Sequence, residues 1–244
     1  MKKFGFTLAE ILITLTTIGI VAGLTIPSFV SNTQNKTNAA KLSTTITTLE
    51  TAFSNMMADE AVAEFNETSF IMNHERDPIA QKTANILARY LKINNFEKKL
   101  TDSSYKKEQA FKNLDGSLAQ PLNSTGIYTL KNGAVLILGT SQINTITEEE
   151  AEKLGVAVTS QDLFLTIDVN GIGSPNVFCR DVFIFLVGND GKLYPCGSKV
   201  YSALLKKNTD NVYTNVNGDF PCDGGKYSAG CTARLVENNF VVDY

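Results

Sequence analysis

The chain has 244 residues, 43 % hydrophobic and 19 % charged, with no tryptophan, four cysteines and a single histidine, His74. Its 22 basic and 25 acidic side chains leave a net charge of −3, so no excess of cations exists to hold a phosphate backbone, and nucleic acid is not an expected partner. One histidine and four widely spaced cysteines also exclude the common zinc sites, whose ligands come in pairs two to four residues apart.

The first element is the most distinctive. From Phe6 to Val30 there are 25 residues of which only Glu10 is charged, enough to cross a hydrocarbon core of ~30 Å at ~1.5 Å per residue. Lys2 and Lys3 precede the run and no basic residue follows until Lys36. The positive-inside bias then puts the amino terminus in the cytoplasm and the bulk of the chain outside. Gly19 and Gly23 have the small-xxx-small spacing that lets helices approach in lipid, although ordinary glycine use in a membrane helix accounts for them equally well. Pro27 removes one helical hydrogen bond, so a kink or local melting is expected between Gly23 and Pro27. The alternative is a cleaved secretory signal ending at Val21-Ala22-Gly23, with a mature chain starting at Leu24. That alternative leaves Glu10 unexplained, because a carboxylate within a membrane segment costs roughly 2.5–3.5 kcal/mol and needs a partner.

Lys2-Lys3-Phe4-Gly5 followed by Phe6-Thr7-Leu8-Ala9-Glu10 and an apolar helix resembles the processing signal of the type IV pilin and type II secretion pseudopilin superfamily. The resemblance implies cleavage after Gly5 by a membrane-embedded prepilin peptidase and methylation of the new amino terminus, Phe6. Glu10 corresponds to the family's glutamate five residues into the mature chain, and Pro27 to a proline often found in this helix. Ala9 departs from the more usual valine. Leader removal subtracts Lys2 and Lys3, leaving 20 basic against 25 acidic side chains. It also exposes an ammonium on Phe6 that Glu10 of a neighbouring subunit would neutralise. Either charge left alone costs ~3–5 kcal/mol, so Glu10 is expected to set the register between subunits.

Beyond Val30, Leu42, Ile46, Leu49, Phe53 and Met56 recur at steps of four, three, four and three, which continues the helix as an amphipathic element to about Asp59. Core packing against the chain's own head is favoured over a coiled coil, because the stripe lacks three clean heptads and charged flanks. The segment Glu67 to Pro78, with His74 in it, reads as a solvated loop, and Ile79 to Leu91 as a second helix. Glu97 to Lys112 shows no pattern. Ile127 to Leu130 and Ala134 to Leu138 flank Lys131-Asn132-Gly133 as a hairpin. Thr147-Glu148-Glu149-Glu150 matches a capping box opening a short helix that ends at Gly155. Leu163 to Val169 and Val182 to Val187 read as strands, with a turn at Asn189-Asp190-Gly191-Lys192 before Leu193.

The expected fold is α+β. A long amino-terminal helix, half membrane and half amphipathic, packs on a small, mainly antiparallel sheet, and the resemblance implies this pilin-like architecture too. The expected divisions are a leader at 1–5, a transmembrane or filament-core helix at 6–30, its amphipathic continuation at 31–65, and a globular head at 66–244.

Two features of the head concern sites. Some relatives in the superfamily bind calcium in the carboxy-terminal part of the head, and Asp168, Asn170 and Asp181 offer oxygen ligands of the type calcium takes. The spacing fails the EF-hand pattern, since Gly171 is the fourth loop position rather than the sixth, and turn formation beside strands is the simpler account. Cys179, Cys196, Cys222 and Cys231 all lie in the last third of an extracytoplasmic domain, where thiols oxidise. Four cysteines allow three connectivities. The expected bridges are Cys179–Cys196, across the Val182 to Val187 strand, and Cys222–Cys231, closing a glycine-rich loop like the cysteine-bounded loop of many pilins.

No arrangement points to catalysis. His74 has no companion for nucleophilic chemistry, and Gly224-Gly225-Lys226 lacks the other residues of a phosphate loop. The expected role is a structural filament subunit, processed in the bacterial inner membrane with its amino terminus cytoplasmic and its head outside. Its partners would be other pilin or pseudopilin subunits, the prepilin peptidase, and an inner-membrane assembly platform with its ATPase. A minor tip subunit, or a secreted binding or enzymatic domain with an ordinary signal, are the alternatives.

Overall fold

In the computed structural model the described residues are 7–76, 81–97, 111–119, 126–140, 148–154, 163–171, 173–205, 214, 220–223 and 228–244. One helix, α1 (Leu8–Glu60), dominates. Its 53 residues make a rod about 80 Å long at ~1.5 Å per residue. It stops where Ala61 turns left-handed and its N–H caps the carbonyls of Met57 and Ala58. A single 3-10 turn at Phe65–Glu67 leads into α2 (Ser69–Arg76) and α3 (Gln81–Tyr90).

Six strands follow: β1 (Ile93–Glu97), β2 (Gly126–Leu130), β3 (Val135–Thr140), β4 (Leu163–Asp168), β5 (Val182–Val187) and β6 (Leu193–Pro195). They pair in sequence order, every pair antiparallel, so the sheet is a meander built from local connections. Helix α4 (Glu148–Leu154) lies between β3 and β4, and α5 (Lys199–Leu204) and α6 (Cys231–Glu237) follow the sheet. The α+β architecture expected from the sequence is present.

The strand period of two sorts side chains onto two faces. Tyr128, Leu136, Leu138, Leu165, Ile167, Phe183, Phe185 and Val187 face α1 and share one core with its Ala39, Leu42, Leu49, Ala52, Phe53 and Met56. Phe53 anchors this contact, its ring 4.5 Å from Phe65 and 6.4 Å from Phe70. Ile46, expected in the stripe, is only partly buried. The opposite face carries Ile127, Val135, Ile137 and Val182 under Phe111 and Phe178. Further along that face, Leu186 packs with Ala151 of α4 and with Tyr201 and Leu204 of α5. The sheet is thus covered on both sides.

Several expectations are corrected. The stretch read as a loop between Glu67 and Pro78 is helical over Ser69–Arg76, and Glu60 holds its start by accepting the Ser69 N–H at 2.6 Å. His74 therefore sits on a helix. The helix expected from Ile79 is described from Gln81, and Thr147 and Gly155, the expected limits of the short helix, lie outside the described residues. The patternless stretch beginning at Glu97 is preceded by an unanticipated strand, β1, whose pairing shifts between Ile93 and Asn95.

Candidate functional site

The first half of α1 is where composition and exposure conflict most sharply. Leu8, Leu12, Ile13, Leu15, Ile18, Leu24, Ile26 and Phe29 are all exposed, and α1 first contributes to the core at Ala39. The helix is long and apolar enough to cross a membrane, with an 18-residue window of mean hydropathy 1.9. It runs through Pro27 as one helix, so the chain does not melt between Gly23 and Pro27. A Cβ added at Gly19 or Gly23 would meet nothing within 4 Å, which leaves that face clear in the single chain.

Glu10 lies at the start of this helix. Thr7 is the N-cap: its Oγ1 accepts from the Glu10 N–H at 3.3 Å. In return the Thr7 N–H and hydroxyl both donate to Glu10 Oε2, at 2.7 and 2.9 Å. This is a reciprocal capping box, and the Thr-x-x-Glu spacing at Thr7 and Glu10 carried the signal for it in the sequence. Among the described residues no donor reaches Glu10 Oε1. Gly5 and Phe6, the expected processing positions, lie outside the described residues.

The threonines of α1 form a second pattern. In the apolar half, the hydroxyls of Thr14, Thr16, Thr17, Thr25 and Thr33 each donate to the carbonyl four residues back. In the head-bound half Thr37, Thr44, Thr45, Thr47, Thr48 and Thr51 do the same. Each hydroxyl is satisfied by its own helix.

The structure does bring Asp168, Asn170 and Asp181 together, at the junction of β4 and β5, where Asp168 pairs with Val182. Asp168 Oδ1 accepts the N–H groups of Asn170 and Gly171, each at 3.0 Å. Asp181 Oδ1 accepts the Val177 N–H at 2.6 Å, and its Oδ2 accepts the Asn170 amide at 2.7 Å. Asp168 Oδ1 and both Asp181 oxygens thus accept hydrogen bonds, whereas Asn170 Oδ1 is buried without a hydrogen-bond partner. In this arrangement the three residues close a turn between the two strands. Burial pushes the Asp181 carboxyl up to about 7, against the opposing pull of Val177 and Asn170. Gly171, at φ 69°, lies so close to Gly133 that a Cβ would come 2.3 Å from the Gly133 carbonyl oxygen. The same junction touches α1, through Asn38 donating to the Arg180 carbonyl at 3.0 Å.

The cysteines divide. Cys222 and Cys231 form a disulfide with Cα atoms 4.6 Å apart. Cys179 and Cys196 are free buried thiols, a correction to the expected Cys179–Cys196 bridge. Packing explains the difference. Cys179 adopts φ 64° in the turn before β5 and points at the start of α6, where its thiol lies 2.8 Å from the Ser228 carbonyl. Cys196 packs instead with Leu186, Tyr201 and Leu204. Burial pushes the Cys196 thiol up to about 12 and raises that of Cys179 as well. The chain's last residue closes over this region, Tyr244 Oη donating to the Cys179 carbonyl at 2.6 Å.

Comparison of the chain with protein-family models, with curated proteins and with solved structures found no match.

Proposed function

We propose that the chain is a structural subunit of a helical filament, of the type IV pilus or type II secretion pseudopilus kind. The observation that carries the reading is a lone acid, Glu10, near the start of an exposed apolar half-helix that continues unbroken into the core of an antiparallel head. Such a half-helix is stable only in lipid or against other helices. An acid within it calls for a cation at the same depth, and the amino terminus that cleavage between Gly5 and Phe6 would expose on a neighbouring copy supplies one.

In this reading the subunit waits in the bacterial inner membrane with its amino terminus in the cytoplasm. The prepilin peptidase removes residues 1–5, Phe6 is methylated, and an assembly platform driven by an ATPase extracts the subunit into the growing filament. The chain itself is a building block and not an enzyme.

The amino terminus of the mature chain tests this directly. Mass spectrometry should find methylated Phe6. A chain beginning at Leu24, or polymers still carrying residues 1–5, would refute the proposal.

A further inference from the structure

Among the described residues two asparagines precede a glycine, Asn132 and Asn170. Such a pair is chemically labile, because glycine has no Cβ to keep its nitrogen away from the asparagine's own side-chain carbon. The two sites differ in what holds that nitrogen. The Gly133 N–H donates to the Leu130 carbonyl at 3.0 Å, an acceptor that cannot take its proton, and Asn132 Oδ1 is occupied by the Ala134 N–H. The Gly171 N–H donates instead to a carboxylate, Asp168 Oδ1, at 3.0 Å. Asp181, just ahead of β5, grips Asn170 Nδ2 at 2.7 Å, and Asn170 Oδ1 has no partner among the described residues. The nitrogen that would attack thus faces a base, and the nitrogen that would leave is fixed in place.

We propose that Asn170-Gly171 is a self-modification site, at which the folded chain converts its own asparagine to aspartate or isoaspartate with Asp168 as the base. The Gly171 nitrogen attacks Asn170 Cγ and passes its proton to Asp168. The new N–Cγ bond closes a cyclic imide, the Cγ–Nδ2 bond breaks, and ammonia leaves with the proton that Asp168 took up. Water then opens either carbonyl of the ring. Asp168 is fully buried whereas Asn170 is only partly so, which keeps the base dry while water reaches the ring. Conversion replaces the donor that now faces Asp181 with an acceptor, and so removes the bond that closes the turn between β4 and β5. The Asn38 contact that ties this junction to α1 lies beside it. The modified fraction therefore records the age of a chain and loosens its helix–head junction. The inference is independent of the filament reading.

The first step of the test needs no variant. The full chain is incubated at neutral pH in detergent micelles, either folded or unfolded by guanidinium chloride. Peptides containing residues 132 and 170 are followed by mass, and isoaspartate is detected by enzymatic methylation. In the folded chain Asn170 should convert about a hundredfold faster than Asn132, the lower end of what a positioned base supplies. Unfolding should slow Asn170 and bring the two rates together. Asp168→Asn should lower the folded rate at residue 170 to that at residue 132 without moving the latter. A folded-state ratio below about tenfold overturns the proposal, as does an Asn170 that converts faster once unfolded. An Asp168→Asn chain that melts as a folded head and keeps the original rate at residue 170 overturns it too. Should that variant fail to fold, the comparison of folded with unfolded unaltered chain decides alone.

Discussion

Removing the Cys222–Cys231 bridge tests the account of the carboxy-terminal region most directly. The two cysteines are nine positions apart, and in the chain-entropy model closing so short a loop stabilises the fold by about 2.6 kcal/mol. For a head of this size that corresponds to a fall in melting temperature of about 5–10 °C. The variant is Cys222→Ala with Cys231→Ala, followed by calorimetry in detergent micelles, and reduction of the unaltered protein should reproduce the shift. Alkylation adds a second measurement on the same samples. Cys179 and Cys196 are both buried and their thiols hold their protons well above the ordinary range. They should resist modification in the folded protein and react after denaturation, each as a free thiol. A melting point that does not move on reduction, or a peptide joining Cys179 to any other cysteine, would refute this reasoning.

Two further predictions concern the head. Phe53→Ala removes the ring that joins α1 to Phe65 and Phe70 and should destabilise the head by about 3–5 kcal/mol. A loss below about 1 kcal/mol in denaturant titration would mean that α1 is not packed as described. Asp181 ionises near 3.8 when unfolded and near 7 when folded. The folded chain therefore keeps a proton that the unfolded chain has lost, so this group's contribution to stability declines as pH rises from about 4 to 7. Asp181→Asn should flatten that decline, and parallel melting curves for the two proteins across the window would contradict the burial argument.

Where a sequence pattern coincided with the geometric demand of its element, it could be read directly. Asn132-Gly133 announced the β2–β3 hairpin because the turn needs a positive φ, and Gly133 has φ 87°. Val182 to Val187 was a continuous apolar run because both faces of β5 are covered. Leu42, Leu49, Phe53 and Met56 kept helical spacing because a single face of α1 meets the sheet.

The elements that were missed owe their structure to distant contacts. Helix α2 is short, with Phe70 and Ile71 buried in the core ahead of a polar end, and Glu60, nine residues earlier, holds its start by accepting from Ser69. Strand β1 carries Asn94 and Asn95 against the usual strand preference, and it pairs because β2 offers an edge. The cysteine pairing was half legible. A short loop can be closed by its own ends, but whether Cys179 meets Cys196 depends on how the turn before β5 aims its side chain. At the amino terminus the need for a partner at Glu10 followed from the cost of an isolated charge. The reciprocal capping of Thr7 and Glu10 appeared only in the structure.

The threonines of α1 give that rod an unusual indifference to its surroundings. Each alcohol is tied to the rung beneath it, so transfer between an oily medium and a crowd of like helices breaks no internal bond and strands no donor. What the apolar half offers to either medium is mainly exposed leucine, isoleucine and valine, with Phe29 near its end. Glu10 is left as the one charged side chain on the apolar half.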